Sequence, residues 1–338
     1  MPRYIVIRIA VLCLAACATE PVPEPGRDVG EQPIMTQQGT ELDGLLRQGT
    51  QLDGKFIHGF KFAGATLNGA PLVNFRLEKG ELIAEQNGVT LRNTALKNTH
   101  LFAEAYNRNV QPPQTVNVEY QFSDIVAEDM TNDPTHTGNT FLYTLLQNVD
   151  NTGSWQPACP IDSNGRRVAI PLADTWDERG TRMPSAPWFT LACTTGVIAK
   201  CYRWGYRPWV TGYGNLATMH WTCTRVSRAD YCGDGTPHTS NGNVINLWDI
   251  LSPPGPILAQ GSTPPGMTFE AAWDQNGALC FSHARWNLDG ATRAAACPNR
   301  LRPPGQGMQV GTVCDNVSQA LMMGGAAPRL FNESVIGP

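Results

Sequence analysis

The residues of this chain best suited to chemistry are two aspartates and two histidines in one short stretch. Asp230, Asp234 and His238 follow one another at intervals of four, and His220 precedes them. Carboxylates and imidazoles can transfer protons or bind a metal ion. The spacing matches no established metal site, so we predict neither a metal nor another cofactor. Asp230, Asp234 and His238 are therefore candidates for acid–base catalysis.

Other catalytic signatures are missing from the sequence. The chain has no G-x-S-x-G motif, which would place a serine nucleophile on a sharp turn. It also has no glycine-rich loop of the kind that binds phosphate groups. The sequence alone therefore does not identify a reaction.

Two helices are expected to position the candidate residues. The first covers about residues 197–204, and the second covers about residues 216–232, where apolar side chains recur at intervals of three and four. Gly233 would end the second helix. Asp230 lies on the apolar face near that end, where an unpaired carboxylate is unfavourable. Its expected partner is Arg203, Arg207 or a backbone amide near Gly233.

Asp230 has two interpretations. As a buried carboxyl with a raised pKa, it would act as a general acid or anchor a ligand. As a fully hydrogen-bonded carboxyl, it would only stabilise the fold. We favour the structural interpretation, because a polar group on an apolar helix face needs internal partners.

Eight cysteines beyond residue 150 are candidates for disulfides, because their number is even and the N-terminal sequence described below predicts export from the cytosol. No two of them have C-x-x-C spacing, which disfavours a zinc ribbon. Within one helix, Cys223 and Cys232 would lie ~13 Å apart, too far for a bridge. A local bridge between them requires the helix to end near residue 226, and a bend at Gly196 favours a local Cys193–Cys201 bridge. The eight are Cys159, Cys193, Cys201, Cys223, Cys232, Cys280, Cys297 and Cys314.

The second helix contains the tetrad Ala229-Asp230-Tyr231-Cys232, followed by Gly233-Asp234-Gly235. The segment Cys193 to Tyr206 lies upstream, and Asn246-Leu247-Trp248-Asp249 lies downstream. Together these motifs resemble the ADYC domain of bacterial extracytoplasmic proteins over roughly residues 40–315. The resemblance implies an extracytoplasmic location but no known activity.

The N-terminus has the pattern of a bacterial lipoprotein signal peptide. Arg3 and Arg8 flank the start of a short apolar run, which leads into Leu14-Ala15-Ala16-Cys17. Small residues before a cysteine are typical of lipoprotein processing. We expect cleavage after residue 16 and lipid attachment to Cys17, which would hold the protein stably on a membrane. A Pro- and Gly-containing tether then covers residues 17–38.

Location and partners follow from this signal and from the charge. Ala18, rather than Asp, follows the cysteine, which by enterobacterial sorting predicts the outer membrane of the bacterial cell envelope. The formal net charge of −4 argues against a nucleic-acid partner.

Residues 39–106 carry a repeat of five residues. Glycines and leucines both recur at this interval, which fits neither a helix nor a single strand. The residues resemble pentapeptide repeats, which wind a right-handed β-helix, and Asn87-Gly88 predicts a hairpin turn. The leucine series is Leu42, Arg47, Leu52, Ile57, Phe62, Leu67, Leu72, Leu77 and Leu82.

The predicted fold class is α+β. A short right-handed β-helix-like repeat region is followed by a disulfide-rich mixed α/β domain with few helices over residues 107–338. All nine tryptophans lie in this second domain. They either pack beside the disulfides or present a surface for sugars, with Trp204, Tyr206 and Trp209 as the candidate cluster.

We therefore predict a lipid-anchored cell-envelope protein with a binding or structural role and no catalysis. Its partner would be cell-wall glycan or another envelope protein. The alternative is an extracytoplasmic hydrolase that uses Asp230 with Asp234 or His238. A redox role of the cysteines is a third possibility.

Overall fold

The structure is a computed structural model, and all of its described residues lie within the unit formed by residues 32–338. The predicted signal peptide, Cys17, most of the tether and the repeat before residue 60 lie outside them. The described residues are 35–36, 60–107, 112, 114–128, 140–149, 151–177, 179–184, 188–239, 242–252, 255–285, 297, 313–322 and 330–336.

The described part of the chain is mostly β-strand, with three short α-helices and one 3₁₀ helix, Asn93–Leu96. The helices are α1 (Val197–Arg203), α2 (Leu216–Arg228) and α3 (Val317–Met322). The strands are β1 (Met35–Thr36), β2 (Phe60–Leu67), β3 (Ala70–Glu78), β4 (Glu81–Gln86), β5 (Val89–Arg92), β6 (Thr99–Asn107), β7 (Gln114–Glu128), β8 (Thr140–Val149), β9 (Ser154–Pro157), β10 (Val168–Ala173), β11 (Thr175–Trp176), β12 (Arg182–Met183), β13 (Trp188–Cys193), β14 (Val244–Asp249), β15 (Thr268–Asp274), β16 (Gly277–Phe281) and β17 (Leu330–Ser334).

Six strands close into an antiparallel barrel. Strand pairing runs β2–β6–β7–β8–β10–β13, and β13 returns to β2 through the pairs Trp188↔Lys61 and Phe189↔Phe60. The other half of the same β2 edge pairs with β3, so a three-stranded extension, β3–β4–β5, continues from the barrel. Strand β9 pairs with β8. The predicted boundary at residue 107 coincides with the end of β6, which pairs with β7, so residues on both sides of it share one sheet.

The barrel interior contains small, aliphatic and aromatic side chains. On β6, Leu101, Ala103 and Ala105 are buried and Phe102 is exposed, as expected for a strand with one face in the core. The Phe62 and Phe189 rings stack with centroids 4.3 Å apart across the closing strands. Helix α1 packs on the outside of the barrel against a second apolar cluster, formed with β8, β10 and β13.

The predicted fold class is wrong. Every strand pairing among the described residues is antiparallel, whereas the coils of a β-helix stack in parallel. The described part of the chain is also mainly β rather than α+β. The physical reason lies in the turns Asn68-Gly69, Lys79-Gly80 and Asn87-Gly88. Their residues have positive φ, so the chain reverses after each strand instead of winding onward. The interval of five therefore marks hairpins. Its leucines at Leu67, Leu72 and Leu82 are nevertheless buried.

A second antiparallel sheet has the order β1–β14–β17–β15–β16. One face packs on α2 through a cluster that includes Leu247, Trp273 and Leu330. The opposite face packs on α3 through Trp248 and Phe331. Successive residues of these strands point alternately to the cluster under α2 and to the cluster under α3, as Leu247 and Trp248 do. The strands are therefore apolar on both faces. Within the described ranges, no helix has the length and apolarity to cross a membrane.

Candidate functional site

The family tetrad begins where α2 ends. Asn215 caps the helix start by accepting a hydrogen bond from the Thr218 amide at 3.1 Å. Ala229 ends it in the left-handed conformation, with φ of 50°, and its N–H donates to the carbonyls of Arg225 and Val226. The predicted helix through residue 232 is therefore too long by one turn. The left-handed Ala229 turns the last three residues of the tetrad away from the helix axis into the interior.

Asp230 is completely buried beside an arginine of the last helical turn. Its Oδ2 accepts hydrogen bonds from Nη1 of Arg225 and, at 3.0 Å, from the amide of Gly235. Arg225 also donates to the carbonyl oxygens of Arg179 and Gln275. The predicted partners Arg203 and Arg207 were wrong, whereas a backbone amide shortly after Gly233 does contribute. Oδ1 of Asp230 is buried without a hydrogen-bond partner among the described residues.

Two glycines allow three segments to meet around Asp230. A Cβ on Gly233 would lie 1.7 Å from the carbonyl oxygen of Asn276 in the β15–β16 turn. A Cβ on Gly235 would lie 2.6 Å from the Cα of Arg179, in the loop between β11 and β12. Both glycines also have positive φ. At these distances a side chain at residue 233 or 235 would collide with the neighbouring backbone. The two glycines therefore allow the loops to converge beside the tetrad.

Tyr231 belongs to a second buried polar network. Its hydroxyl donates to Oε1 of Glu270 at 2.8 Å and accepts from the amide of Arg285 at 3.0 Å. Arg285 and Glu270 form an ion pair whose side chains are 1% and 0% exposed. Nδ2 of Asn332 donates to the other Glu270 oxygen at 2.6 Å. The Tyr231 ring stacks on that of Trp273, with centroids 5.1 Å apart.

All eight predicted cysteines form disulfides. Cys232 of the tetrad pairs with Cys297, and the other pairs are Cys159–Cys193, Cys201–Cys223 and Cys280–Cys314. The local Cys193–Cys201 and Cys223–Cys232 bridges do not form. Instead, Cys201–Cys223 joins α1 to α2, and Cys159–Cys193 joins the start of the β9–β10 connection to β13.

Burial dominates the electrostatics of the site. It raises the pKa of Asp230, although the neighbouring Arg225 and Arg228 act in the opposite direction. Burial raises the pKa of the Tyr231 hydroxyl well above its usual range, and the Glu270 carboxylate adds to this. These groups are therefore held in positions where ionisation is costly, unless a cation lies beside them.

The other catalytic candidates do not converge with Asp230 into a hydrogen-bonded group in the structure. Asp234 is exposed and accepts a hydrogen bond from the Thr236 amide at 2.8 Å. His238 is half-buried with its ring 5.8 Å from that of Tyr231, and burial lowers its pKa. His220 is buried between the helices, bonds through Nε2 to the Ile198 carbonyl oxygen at 2.8 Å, and has a pKa lowered by burial to about 4. The described residues contain no group of three His, Cys, Asp or Glu side chains placed to hold a metal.

The predicted aromatic cluster is not a surface platform. Tyr206 is buried, and its hydroxyl donates to Oδ2 of Asp249 at 2.9 Å. Nε1 of the half-buried Trp209 donates to the hydroxyl of Tyr202 at 3.2 Å. Trp204 and Trp209 pack against the core beneath α2. These rings therefore close the core, because the connection between α1 and α2 folds over the second sheet.

Sequence reasoning missed Arg225, Glu270 and Arg285, which hold the tetrad in place. A signal was present for Glu270, because a carboxylate beside the apolar run Ala271-Ala272-Trp273 in a buried strand requires a cation. No comparable signal marked Arg225 or Arg285. The site therefore connects the end of α2 with two loops and the second sheet. Its charged groups pair as Arg225–Asp230 and Arg285–Glu270.

The comparisons with known proteins identify one domain family, and its matched range includes the tetrad. No curated protein and no solved structure matches the chain. Residues 93–287 match the ADYC domain, and this span is more than half of the chain. It runs from the 3₁₀ helix after β5, through most of the barrel and helices α1 and α2, to β16 and Arg285. The chain therefore belongs to the ADYC domain family.

Proposed function

We propose that this protein is a lipid-anchored component of the bacterial cell envelope that binds or supports other envelope components without catalysing a reaction. One observation carries the proposal: the polar groups of the tetrad serve the fold. Asp230 binds Arg225 and Gly235, Tyr231 binds Glu270 and Arg285, and Cys232 is in a disulfide. A motif used in this way stabilises a scaffold, and binding then belongs to other surfaces.

The disulfides support an extracytoplasmic location. Four bridges form from eight cysteines, and such bridges persist only where thiols are not kept reduced. This agrees with the export signal and with acylation of Cys17. The outer membrane remains the proposed destination, on the basis of Ala18.

Mass spectrometry of the protein extracted from membranes tests the anchor. We expect a chain that begins at Cys17 and carries acyl groups, and a Cys17→Ala variant that is released from the membrane fraction. An unprocessed chain that retains residues 1–16 and free thiols would contradict the proposal.

One observation favours the second candidate, an extracytoplasmic hydrolase. Oδ1 of Asp230 is buried and accepts no hydrogen bond from the residues that the structure describes, and burial raises the pKa of this carboxyl, as in a general acid. Incubation of the full-length protein with purified cell-wall sacculi distinguishes the two functions. The binding function predicts no release of soluble fragments. Release by the wild type, but not by Asp230→Asn, would favour the hydrolase.

A further inference from the structure

A row of polar and aromatic side chains crosses the outer face of the barrel, far in sequence from the tetrad. Phe102 on β6 pairs with Glu119 on β7, and Asn148 on β8 pairs with Trp155 on β9. Nδ2 of Asn148 donates to Oε2 of Glu119 at 2.7 Å and so joins the two pairs. Residues that pair across strands share a face, so these four side chains form one line over four strands.

Hydrogen bonds hold this row in a single arrangement. His100, also on β6, bonds through Nδ1 to Oε1 of Glu119 at 2.8 Å. The amide of Gly153 donates to Oδ1 of Asn148 at 2.8 Å and fixes the turn before Trp155. The His100 and Trp155 rings then meet edge to face, with centroids 5.4 Å apart at 89°. Binding sites commonly require this kind of pre-organisation, because it reduces the entropy lost when a ligand binds.

Unlike the tetrad, most of this row reaches solvent, although Asn148 is buried at 8% exposure. Phe102 is 39% exposed, and the side chains of His100 and Glu119 are 35% and 17% exposed. Trp155 is half-buried. The face therefore offers the rings of Phe102 and Trp155 beside a carboxylate–amide pair.

The chemistry of the row selects a neutral, hydroxyl-rich ligand. A carboxylate accepts hydrogen bonds and an amide NH₂ donates them, whereas a hydroxyl does both and can use each group. The C–H faces of a sugar ring pack on aromatic rings, whose faces carry partial negative charge. The Glu119 carboxylate repels phosphate and other anions. Phe102 is exposed and Trp155 is half-buried, and Glu119 and Asn148 occupy the two strands between them. The two residues therefore do not form the contiguous apolar patch typical of a protein partner.

We propose that this face, formed by His100, Phe102, Glu119, Asn148 and Trp155, is a binding site for the glycan strands of the cell wall. The inference rests on the proposed binding function and names its ligand class and its location. The ring of one sugar unit would stack on Trp155, and hydroxyls of that unit would bond to the Glu119–Asn148 pair.

Isothermal titration of the full-length protein, purified in detergent, with the tetrasaccharide of N-acetylglucosamine tests the site. We expect saturable binding that weakens about tenfold or more in Trp155→Ala, as is typical when an aromatic anchor is truncated. Glu119→Gln should also weaken binding, because it changes an acceptor oxygen to a donor. Gln156→Ala is the matched control, since Gln156 neighbours Trp155 on β9 but its side chain points to the opposite face.

The outcomes separate this inference from the proposed function. Equal affinity of wild type and Trp155→Ala would overturn the site but leave a glycan-binding function in place. Failure of the wild type to bind the tetrasaccharide would overturn the glycan inference, while Cys17 acylation and membrane release test the anchored role separately. Retention of an envelope protein by the wild type, lost in Trp155→Ala without sugar binding, would assign the face to a protein partner instead.

Discussion

The barrel and the tetrad region use different interactions to hold their strands. The barrel closes through backbone hydrogen bonds around an apolar interior, and its ion pairs lie near the surface, such as Lys61–Glu104 with side chains 44% and 38% exposed. Around the tetrad, Arg225–Asp230 and Arg285–Glu270 are ion pairs with side chains at most 3% exposed. A closed sheet satisfies its own backbone, whereas a junction of loops needs buried side chains to do so.

This difference explains where the family motif lies. Loops that meet without a shared sheet have backbone groups that regular pairing does not satisfy, and Arg225 donates to two such carbonyls, those of Arg179 and Gln275. Asp230 then balances the arginine charge. The tetrad therefore lies at a buried junction of loops, whereas the outer face of the barrel is accessible to solvent, as at Phe102.

The largest expected effect is the loss of a buried charge. Asp230→Ala leaves Arg225 buried without its carboxylate, which should lower the free energy of unfolding by about 3–5 kcal/mol. Glu104→Ala removes the same charge from the exposed barrel pair and should cost less than about 1 kcal/mol. Urea unfolding followed by tryptophan fluorescence measures both, and equal losses would remove the distinction between the two regions.

The pH dependence of stability tests the contact between α1 and α2, where His220 is buried against Ile198. The pKa of His220 is about 4 in the fold and near 6.5 when the chain is unfolded. Between these values the unfolded state binds the extra proton, so stability falls as the pH drops below 6.5. By pH 4 this group should contribute a loss of about 3 kcal/mol.

A His220→Gln variant provides the control for this pH effect. Glutamine can still donate a hydrogen bond to the Ile198 carbonyl but does not titrate. Urea midpoints from pH 4 to 8 should therefore depend less steeply on pH in the variant. Parallel curves for the two proteins would show that His220 is not the source.

Two tyrosines allow a matched comparison of hydroxyl groups. Tyr231→Phe removes the hydroxyl that bonds to Glu270 and Arg285, and should cost about 1–3 kcal/mol because a charged acceptor stays buried. Tyr143→Phe, in the barrel, removes an acceptor for the Leu82 amide at 3.1 Å and should cost about 1 kcal/mol. A larger loss for Tyr143, measured by thermal unfolding, would contradict the assignment of polar stabilisation to the tetrad region.

The smallest effect concerns two left-handed residues. Lys79 is exposed in the β3–β4 turn with φ of 49°, so Lys79→Gly should stabilise the protein by up to about 1 kcal/mol. Ala229→Gly relieves the same backbone cost but removes a buried methyl group, so its net gain should be smaller. Thermal unfolding of both variants ranks them, and a greater gain at Ala229 would show that its methyl does not contribute to packing.

Local features of the fold were predictable because they depend on neighbouring residues. The Asn87-Gly88 turn forms as expected, and three of the spaced leucines, Leu67, Leu72 and Leu82, are buried. Helix α2 begins at residue 216 as predicted but ends earlier, because a left-handed alanine is not a recognisable stop signal. The β-helix prediction failed because an interval of five is compatible with both coils and short hairpins, and the turn conformations decide between them.

The candidate site was only partly predictable. Its cysteines were identified as a set, yet their pairing was not, because a bridge joins residues 22 to 65 positions apart in sequence. The buried state of Asp230 followed from its place on an apolar face. The pairing of Asp230 with Arg225 was not predictable. Arg225 lies five residues earlier, in the last turn of α2, and it reaches Asp230 only because the helix ends at Arg228.

The sequence by itself determined the oxidised set of cysteines, the turns, the buried leucines and the resemblance to the ADYC domain, which the tetrad and its flanking motifs carry. These properties arise from composition and local conformation. Only the tertiary structure decided that β13 closes a barrel on β2, that Arg225 and Glu270 serve the tetrad, and that Trp155 stands beside His100. Contacts of this kind depend on how distant segments pack together, and a linear pattern does not record that arrangement.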